Sequence, residues 1–306
     1  MAELRPGRGV VKVLVTGATG FVGPKVVHAL RARGHEVRAL VRDPRRARVL
    51  ETWGCELVVG DVADASSLDR AAADAEGVVH LVSIIRGRPH DFERVMSRAT
   101  TSLVAAAEKA GVRRFVLMSA LGTSERARHL TPYFRAKWEM EQAVKSSSVE
   151  HVVFRPSFIF GRDGGVLPML IRQVRWSPVV PVIGDGTKKL QPIWVEDVAS
   201  FFAQGVEVEA AAGRTFELGG PDVVTWNELY ARIQRVLGVR RALLHLPVGL
   251  AKGAAAVAEL LPRPLVTRDE LTMLLEGGDQ VCDMAPALEI FGVDLISLDE
   301  QIRRAA

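Results

Sequence analysis

With 306 residues, 48% hydrophobic and 25% charged, the chain can bury a full core and reads as an ordinary soluble protein of one large domain or two unequal lobes. Its net charge of +4 comes largely from the local cluster Arg42, Arg45, Arg46 and Arg48, which favours a small anionic ligand and argues against a nucleic-acid partner. Two distant cysteines, Cys55 and Cys282, exclude a disulfide framework and a metal-binding spacing. They read as packed thiols in a reducing compartment, and no metal site is expected.

Residues 1–8 lack the apolar run of a signal peptide, since Glu3, Arg5 and Arg8 interrupt them, so a cytoplasmic chain is expected. Residues 11–15 form a β-branched strand, followed by a glycine loop and then by helical apolar spacing over 24–33 that stops at Gly34. The alternation repeats: strand 36–41, short helix 47–52, strand 57–59, helix 67–73, strand 77–83, long helix 92–110, strand 114–118. A further helix running to about Lys145 and a strand over 151–154 complete it. Strands alternating with helices across short turns demand parallel pairing and crossover helices, hence an α/β fold with a doubly wound parallel sheet of the Rossmann kind.

From Arg155 the texture changes to longer loops rich in Gly and Pro. We expect a dinucleotide-binding domain over 10–155 and a smaller C-terminal substrate or partner lobe over 156–306, interleaved with the main sheet by a strand near 214–218. Residues 242–261 are the most apolar late segment, yet His245, Pro247, Lys252 and Glu259 interrupt them. They are expected to lie against a partner or a membrane surface rather than to cross a bilayer.

Between the first strand and the first helix lies Thr16-Gly17-Ala18-Thr19-Gly20-Phe21-Val22-Gly23. Gly17 permits a tight turn, Gly20 lets backbone N–H groups approach a pyrophosphate, and Gly23 allows close helix packing, so Gly17, Thr19, Gly20, Phe21, Val22 and Gly23 are candidate cofactor contacts. The residue that reads the adenosine ribose lies ~20 residues further on, and an acid there selects NAD. Here it is Arg42, whose guanidinium suits a 2′-phosphate, so NADP(H) is expected over NAD(H). Asp43 next to it keeps the ribose-binding alternative open. Asp61 and Val62, just after the third strand, are placed to reach the adenine.

In Tyr133-Phe134-Arg135-Ala136-Lys137 a phenol and an ammonium share one helical face. A hydride acceptor needs a proton on its oxygen; a tyrosine whose pKa is lowered by a neighbouring ammonium supplies it, and the same Lys137 can hold a nicotinamide ribose. The alternative has Lys137 paired with Glu141 on a solvated face and Tyr133 in the core. Phe158, Ile159, Phe160, Ile193 and Trp194 suggest an apolar lining for an uncharged substrate.

Together TGATGFVG, Gly60-Asp61, Tyr133-x-x-x-Lys137, Arg155-Pro156-Ser157-x-x-Phe160-Gly161 and Gln191-Pro192-Ile193-Trp194-Val195-Glu196-Asp197 resemble the extended or atypical short-chain dehydrogenases/reductases, over residues 11 to at least 220. Met118-Ser119-Ala120-Leu121-Gly122 followed by YFRAK and RPSFIFG resembles the branch of the NAD(P)H-binding accessory subunit of respiratory complex I. The resemblance implies an oxidoreductase with Tyr133 as acid/base, Lys137 as its partner and Ser119 orienting the substrate oxygen. It also puts Leu121 where the family carries a Ser or Thr, and Met96 where it often carries an Asn; Thr123 or Ser124 are possible substitutes for the missing hydroxyl. Two readings follow. One is an NADP(H)-dependent oxidoreductase on a small or isoprenoid-like carbonyl. The other is a non-catalytic NAD(P)H-binding accessory or assembly factor of a respiratory or quinone-linked complex, with a peripheral membrane contact possible through the C-terminal lobe. An epimerase or dehydratase with a tightly held cofactor is a third.

Overall fold

The computed structural model describes residues 9–259 and 267–306. Strands β1 (Lys12–Thr16), β2 (Glu36–Val41), β3 (Glu56–Val59), β4 (Gly77–His80), β5 (Arg114–Met118) and β6 (Glu150–Pro156) join the later strand Arg214–Leu218 in one parallel sheet. The order across it is Arg214–Leu218, β6, β5, β4, β1, β2, β3. The chain winds outward from β1 in both directions, so a crevice opens between the carboxyl ends of β1 and β4, where such sheets bind ligands.

Both faces are covered, which is why these strands read as continuous apolar runs rather than alternating ones. On one face, α1 (Gly23–Ala32) and the helix Val195–Glu207 pack Val26, Val27, Phe201 and Phe202 onto Val13, Val15 and Phe154. On the other, the helices Ala65–Ala72, Ala99–Lys109 and Pro132–Lys145 bring Leu68, Leu103 and Met140 onto Leu14, Val78 and Leu117. Gly205 exists for this packing: a Cβ there would stand 2.9 Å from the Phe154 ring. The strand Arg214–Leu218 pairs with β6 from Arg214↔Val152 to Leu218↔Pro156, so the late chain closes the edge of the main sheet.

Two elements differ from the sequence reading. The long helix expected over 92–110 begins at Pro89 and contains an underwound π-helical stretch, Glu93–Arg98, before Ala99–Lys109; just after it the Thr100 hydroxyl donates back to the Met96 carbonyl at 2.6 Å. The strand expected over 77–83 ends at His80: the Leu81 N–H makes a last bond to the Thr16 carbonyl at 3.0 Å, and Val82 and Ser83 turn into the crevice.

The second lobe has its own core, with Leu167, Leu170 and Val174 of the helix Leu167–Trp176 against Leu229 and Ile233 of Trp226–Leu237 and Leu298 and Ile302 near the C-terminus. The apolar late segment is split at Pro247 into the strand Ala242–Leu246, parallel to Val179–Ile183, and the helix Val248–Ala258; residues 260 and 261 lie outside the described residues, as do residues 1–8. Among the described residues no helix is long and apolar enough to cross a membrane.

Candidate functional site

A cavity of about 1550 Å³ runs along the carboxyl ends of the strands. At its β1 side, Gly17 adopts a left-handed φ of +78° and the Gly20 N–H donates to the Gly17 carbonyl at 3.0 Å, tightening the loop. A Cβ on Gly23 would collide with the Gly17 carbonyl and the Ala18 backbone. The loop delivers the N-terminus of α1 to the cavity with no side-chain cap and no acid in its first turn. Free N–H groups and the positive helix end suit a pyrophosphate, so the residues fit a dinucleotide.

The Phe21 side chain lies beneath the glycine loop of the second lobe. A Cβ on Gly161 would come within 2.8 Å of the ring, and one on Gly164 would overlap it. This contact links the phosphate loop to the lobe that closes the cavity.

Arg42 and Arg46 line the cavity beyond β2, and among the described residues neither has an ion-pair partner. Asp43, the alternative ribose ligand, is turned away: its carboxylate caps the turn Pro44–Ala47, accepting from the Arg45 N–H at 3.0 Å. Asp61 and Val62 line the same end, Asp61 Oδ1 accepting from the Ala63 N–H at 2.9 Å.

Beneath the crevice His80 is fully buried between Thr16 Oγ1 (2.6 Å from Nδ1) and Thr100 Oγ1 (2.9 Å from Nε2). The Thr100 proton is given to Met96, so Nε2 carries the hydrogen and Thr16 donates to Nδ1. Burial, assisted by the Lys137 charge, pushes His80 down to about 3, and it is neutral.

Tyr133 and Lys137 project from one face of the helix Pro132–Lys145 into the cavity wall, with the ammonium 5.7 Å from the centre of the phenol ring. The helix starts where it does because Thr131 caps it, its Oγ1 accepting from the Phe134 N–H, and Pro132 occupies the first turn. Lys137 is 1% exposed and donates to the Met118 carbonyl at 2.8 Å. Burial pulls its pKa down to about 7, against the opposing pull of Glu141. Burial likewise drives the Tyr133 phenol up to about 12, only partly offset by the polar influence of the Ser83 side chain. This runs opposite to the expected lowering: desolvation of the phenolate is the larger effect.

A family model described as NAD(P)H-binding matches residues 17–173, half of the chain. The chain belongs to this NAD(P)H-binding family, in the extended short-chain dehydrogenase/reductase branch. A second model, the RmlD substrate binding domain, matches residues 121–266. The chain is 33% identical over 244 residues to a ceramide reductase of Caulobacter vibrioides, covering 78% of this chain and 74% of that one. It is 30% identical over 255 residues to NADH dehydrogenase (ubiquinone) 1 alpha subcomplex subunit 9 of Arabidopsis thaliana, covering 81% of this chain and 63% of that one. A photosystem II assembly factor of Guillardia theta, Ycf39, is 29% identical over 244 residues, 78% of this chain and 74% of that one. Among solved structures the fold matches an NADPH-dependent quinone oxidoreductase of Escherichia coli complexed with NADPH, at a TM-score of 0.76 and 20% identity over 95% of this chain and 98% of that one.

Within this dehydrogenase/reductase frame the cavity brings together Gly17, Thr19, Gly20, Phe21, Val22, Gly23, Arg42, Asp61, Val62, Ser119, Tyr133 and Lys137. Ser119 is there, yet its proton points elsewhere: Oγ donates to Glu141 Oε1 at 2.6 Å. Glu141 is itself fully buried and fully engaged, accepting from Arg155 Nε and Nη2 at 2.8 Å each and from Lys145 at 2.8 Å, which keeps its carboxyl below the usual range. The solvated Lys137–Glu141 pair is thereby overturned, since both residues are buried and Lys137 turns to Met118. Leu121 lines the cavity without a hydroxyl; Thr123 and Ser124 do not line it, and the Ser124 hydroxyl accepts from the Ala127 N–H.

The sequence reading missed Ser83, a hydroxyl on the same cavity wall as the phenol. Its signal was its place at the carboxyl end of a parallel strand, where such folds gather ligand contacts. Of the proposed apolar lining, Phe158 and Ile159 reach the cavity, whereas Phe160, Ile193 and Trp194 are packed inside at 0%, 0% and 3% exposure. Cys55 and Cys282 are both free thiols, Cys55 buried and Cys282 half-buried. Among the described residues no group of three acids, histidines or cysteines could hold a metal.

Proposed function

We propose that the chain is an NADP(H)-dependent oxidoreductase acting on an uncharged carbonyl or hydroxyl group, with Tyr133 as proton donor. The observation that carries this reading is the Tyr133 phenol in the wall of the same cavity that holds the glycine loop, with Lys137 behind its ring and Ser83 on the same wall. Bound nicotinamide supplies the hydride. The protein supplies the rest: Gly17 to Gly23 seat the pyrophosphate, Arg42 and Arg46 meet a 2′-phosphate, and Asp61 and Val62 border the adenine. Tyr133 holds its proton firmly and delivers it to the substrate oxygen; Ser83 steadies the phenolate that remains. Lys137 lies behind the phenol and can exchange its Met118 contact for a ribose hydroxyl. Ser119, held by Glu141, acts through that contact as a support for the loop 118–122.

Titration with NADPH and NADH, followed by turnover on a panel of apolar ketones and quinones, tests both halves. The parent should prefer NADPH, and Arg42→Asp should erase or reverse the preference. Equal affinity for the two nucleotides in the parent would remove the argument for NADP(H).

A second reading is a non-catalytic NAD(P)H-binding accessory or assembly factor of a respiratory or quinone-linked complex. It is supported by Leu121 in place of the usual hydroxyl, by the half-neutral Lys137, and by relatives named as a complex subunit and an assembly factor. Tight nucleotide binding with no turnover across the panel, and an unaltered Tyr133→Phe variant, would decide for it.

A further inference from the structure

The cavity does not end at the phenol. The sheet order places the glycine loop and Arg42 on the β1–β2 side and Tyr133 near the ends of β4 and β5; beyond β6 the space continues into the second lobe. There it runs between the helix Leu167–Trp176, the strand Val179–Ile183, and the helices Val248–Ala258 and Arg268–Glu276. Its walls are Phe158, Met169, Leu170, Ile183, Leu271 and Leu274. Single-ligand pockets occupy roughly 300–1,000 Å³. At about 1550 Å³ this cavity has room for a second molecule beside a dinucleotide.

The charged side chains bordering that arm are mostly satisfied by one another. Arg86 holds Glu270 in a two-pronged pair at 2.9 and 3.0 Å, Lys252 meets Glu276 at 3.0 Å, and Asp185 accepts from the Thr187 backbone and hydroxyl. Lys188 also lines the wall, and among the described residues its ammonium makes no ion pair. Paired charges present little field to a ligand, whereas the apolar walls gain by excluding water.

We propose that this arm holds the aliphatic or isoprenoid tail of a lipid substrate whose polar head lies at Tyr133. The placement of the head rests on the oxidoreductase reading; the tail site rests on the walls alone. A buried methylene is worth about fourfold in affinity, so binding should climb steeply with chain length until the arm is full.

The experiment is displacement of a fluorescent polyene fatty acid, cis-parinaric acid, by a homologous series of 2-alkanones, with and without NADPH. The expected result is affinity rising about fourfold per methylene, and loss of probe binding in Leu274→Asp and in Met169→Glu. Met169 is 44% exposed, so its substitution tests the arm even where a charge at Leu274 prevents folding, which circular dichroism reports. Affinity independent of chain length, or probe binding that survives the folded Met169→Glu variant, would overturn the tail site. Chain-length-dependent binding without turnover would uphold the tail site and sink the oxidoreductase reading alone. Turnover of short ketones with no gain from longer chains would do the reverse.

Discussion

Lys137 is an ammonium held away from water, and its pKa near 7 in place of 10.5 is a statement about stability. Between those two values the unfolded chain binds the proton and the folded chain releases it, so stability rises with pH through that window and the protonated state is disfavoured below it. Lys137→Met removes this cost and forfeits one hydrogen bond to Met118, worth about 1 kcal/mol. At roughly 1.4 kcal/mol per pKa unit the charge effect is the larger. The nucleotide-free variant should therefore melt at a higher temperature than the parent near pH 7, with the difference closing towards pH 10.5. A lower melting temperature at neutral pH would contradict the buried ammonium. At Tyr133 the sign favours one direction of chemistry. With its pKa near 12 the phenol is protonated throughout the neutral range, ready to donate and poorly able to accept, so carbonyl reduction should outrun alcohol oxidation at neutral pH. Tyr133→Phe should lower turnover by about 10²-fold while leaving NADPH affinity nearly unchanged, as steady-state kinetics and calorimetry would read. Full turnover in that variant would end the assignment.

Among the elements, the loop 161–165 and the phosphate loop behave as one unit through Phe21. Gly164→Val would displace the ring and with it the backbone that faces the pyrophosphate. Its expected signature is weakened NADPH binding by calorimetry in a protein whose unfolding midpoint moves little, because the Phe21 ring is only half-buried. Gly205→Val is the contrasting case. Its side chain would press on Phe154, which packs with Phe201, Phe202, Phe216 and Phe291, and overpacking of such a cluster costs about 1–3 kcal/mol. That variant should lower the denaturant midpoint and keep its nucleotide affinity. The opposite pattern in either variant would mean that the two glycines have been given the wrong jobs.

For the whole molecule, the late chain is tied to the early chain by Glu207, whose carboxylate accepts from Arg33 at 2.6 and 3.0 Å and meets His35 at 2.5 Å. Burial opposes its charge, but the hydrogen bonds from His35 and Arg33 together prevail and hold it at about 2, below its usual 4.5. The contribution is complete above pH 4.5 and is lost as pH falls towards 2, so Glu207→Gln should make the acid limb of the stability curve shallower, the remainder belonging to other lowered carboxylates such as Glu141. An unchanged acid limb would mean that this link does not hold the halves together. How much of all this was written along the chain follows from the range of the forces involved. Residues 11–41 declare a strand, a glycine loop, a helix and a second strand because periodicity and turn chemistry are local, and Tyr133 and Lys137 declare a shared face because four residues make about one helical turn. The parallel sheet follows from the alternation. Burial and proximity are sums over distant neighbours, so the sequence could not say that Lys137 would be dehydrated, that Ser119 would be claimed by Glu141 and Ser83 would share the cavity wall with the phenol, or that Trp194 would be core. The same reason hid the apolar arm, whose walls come from residues 158, 169–170, 183 and 271–274 and become neighbours only when the second lobe folds over the ends of the strands.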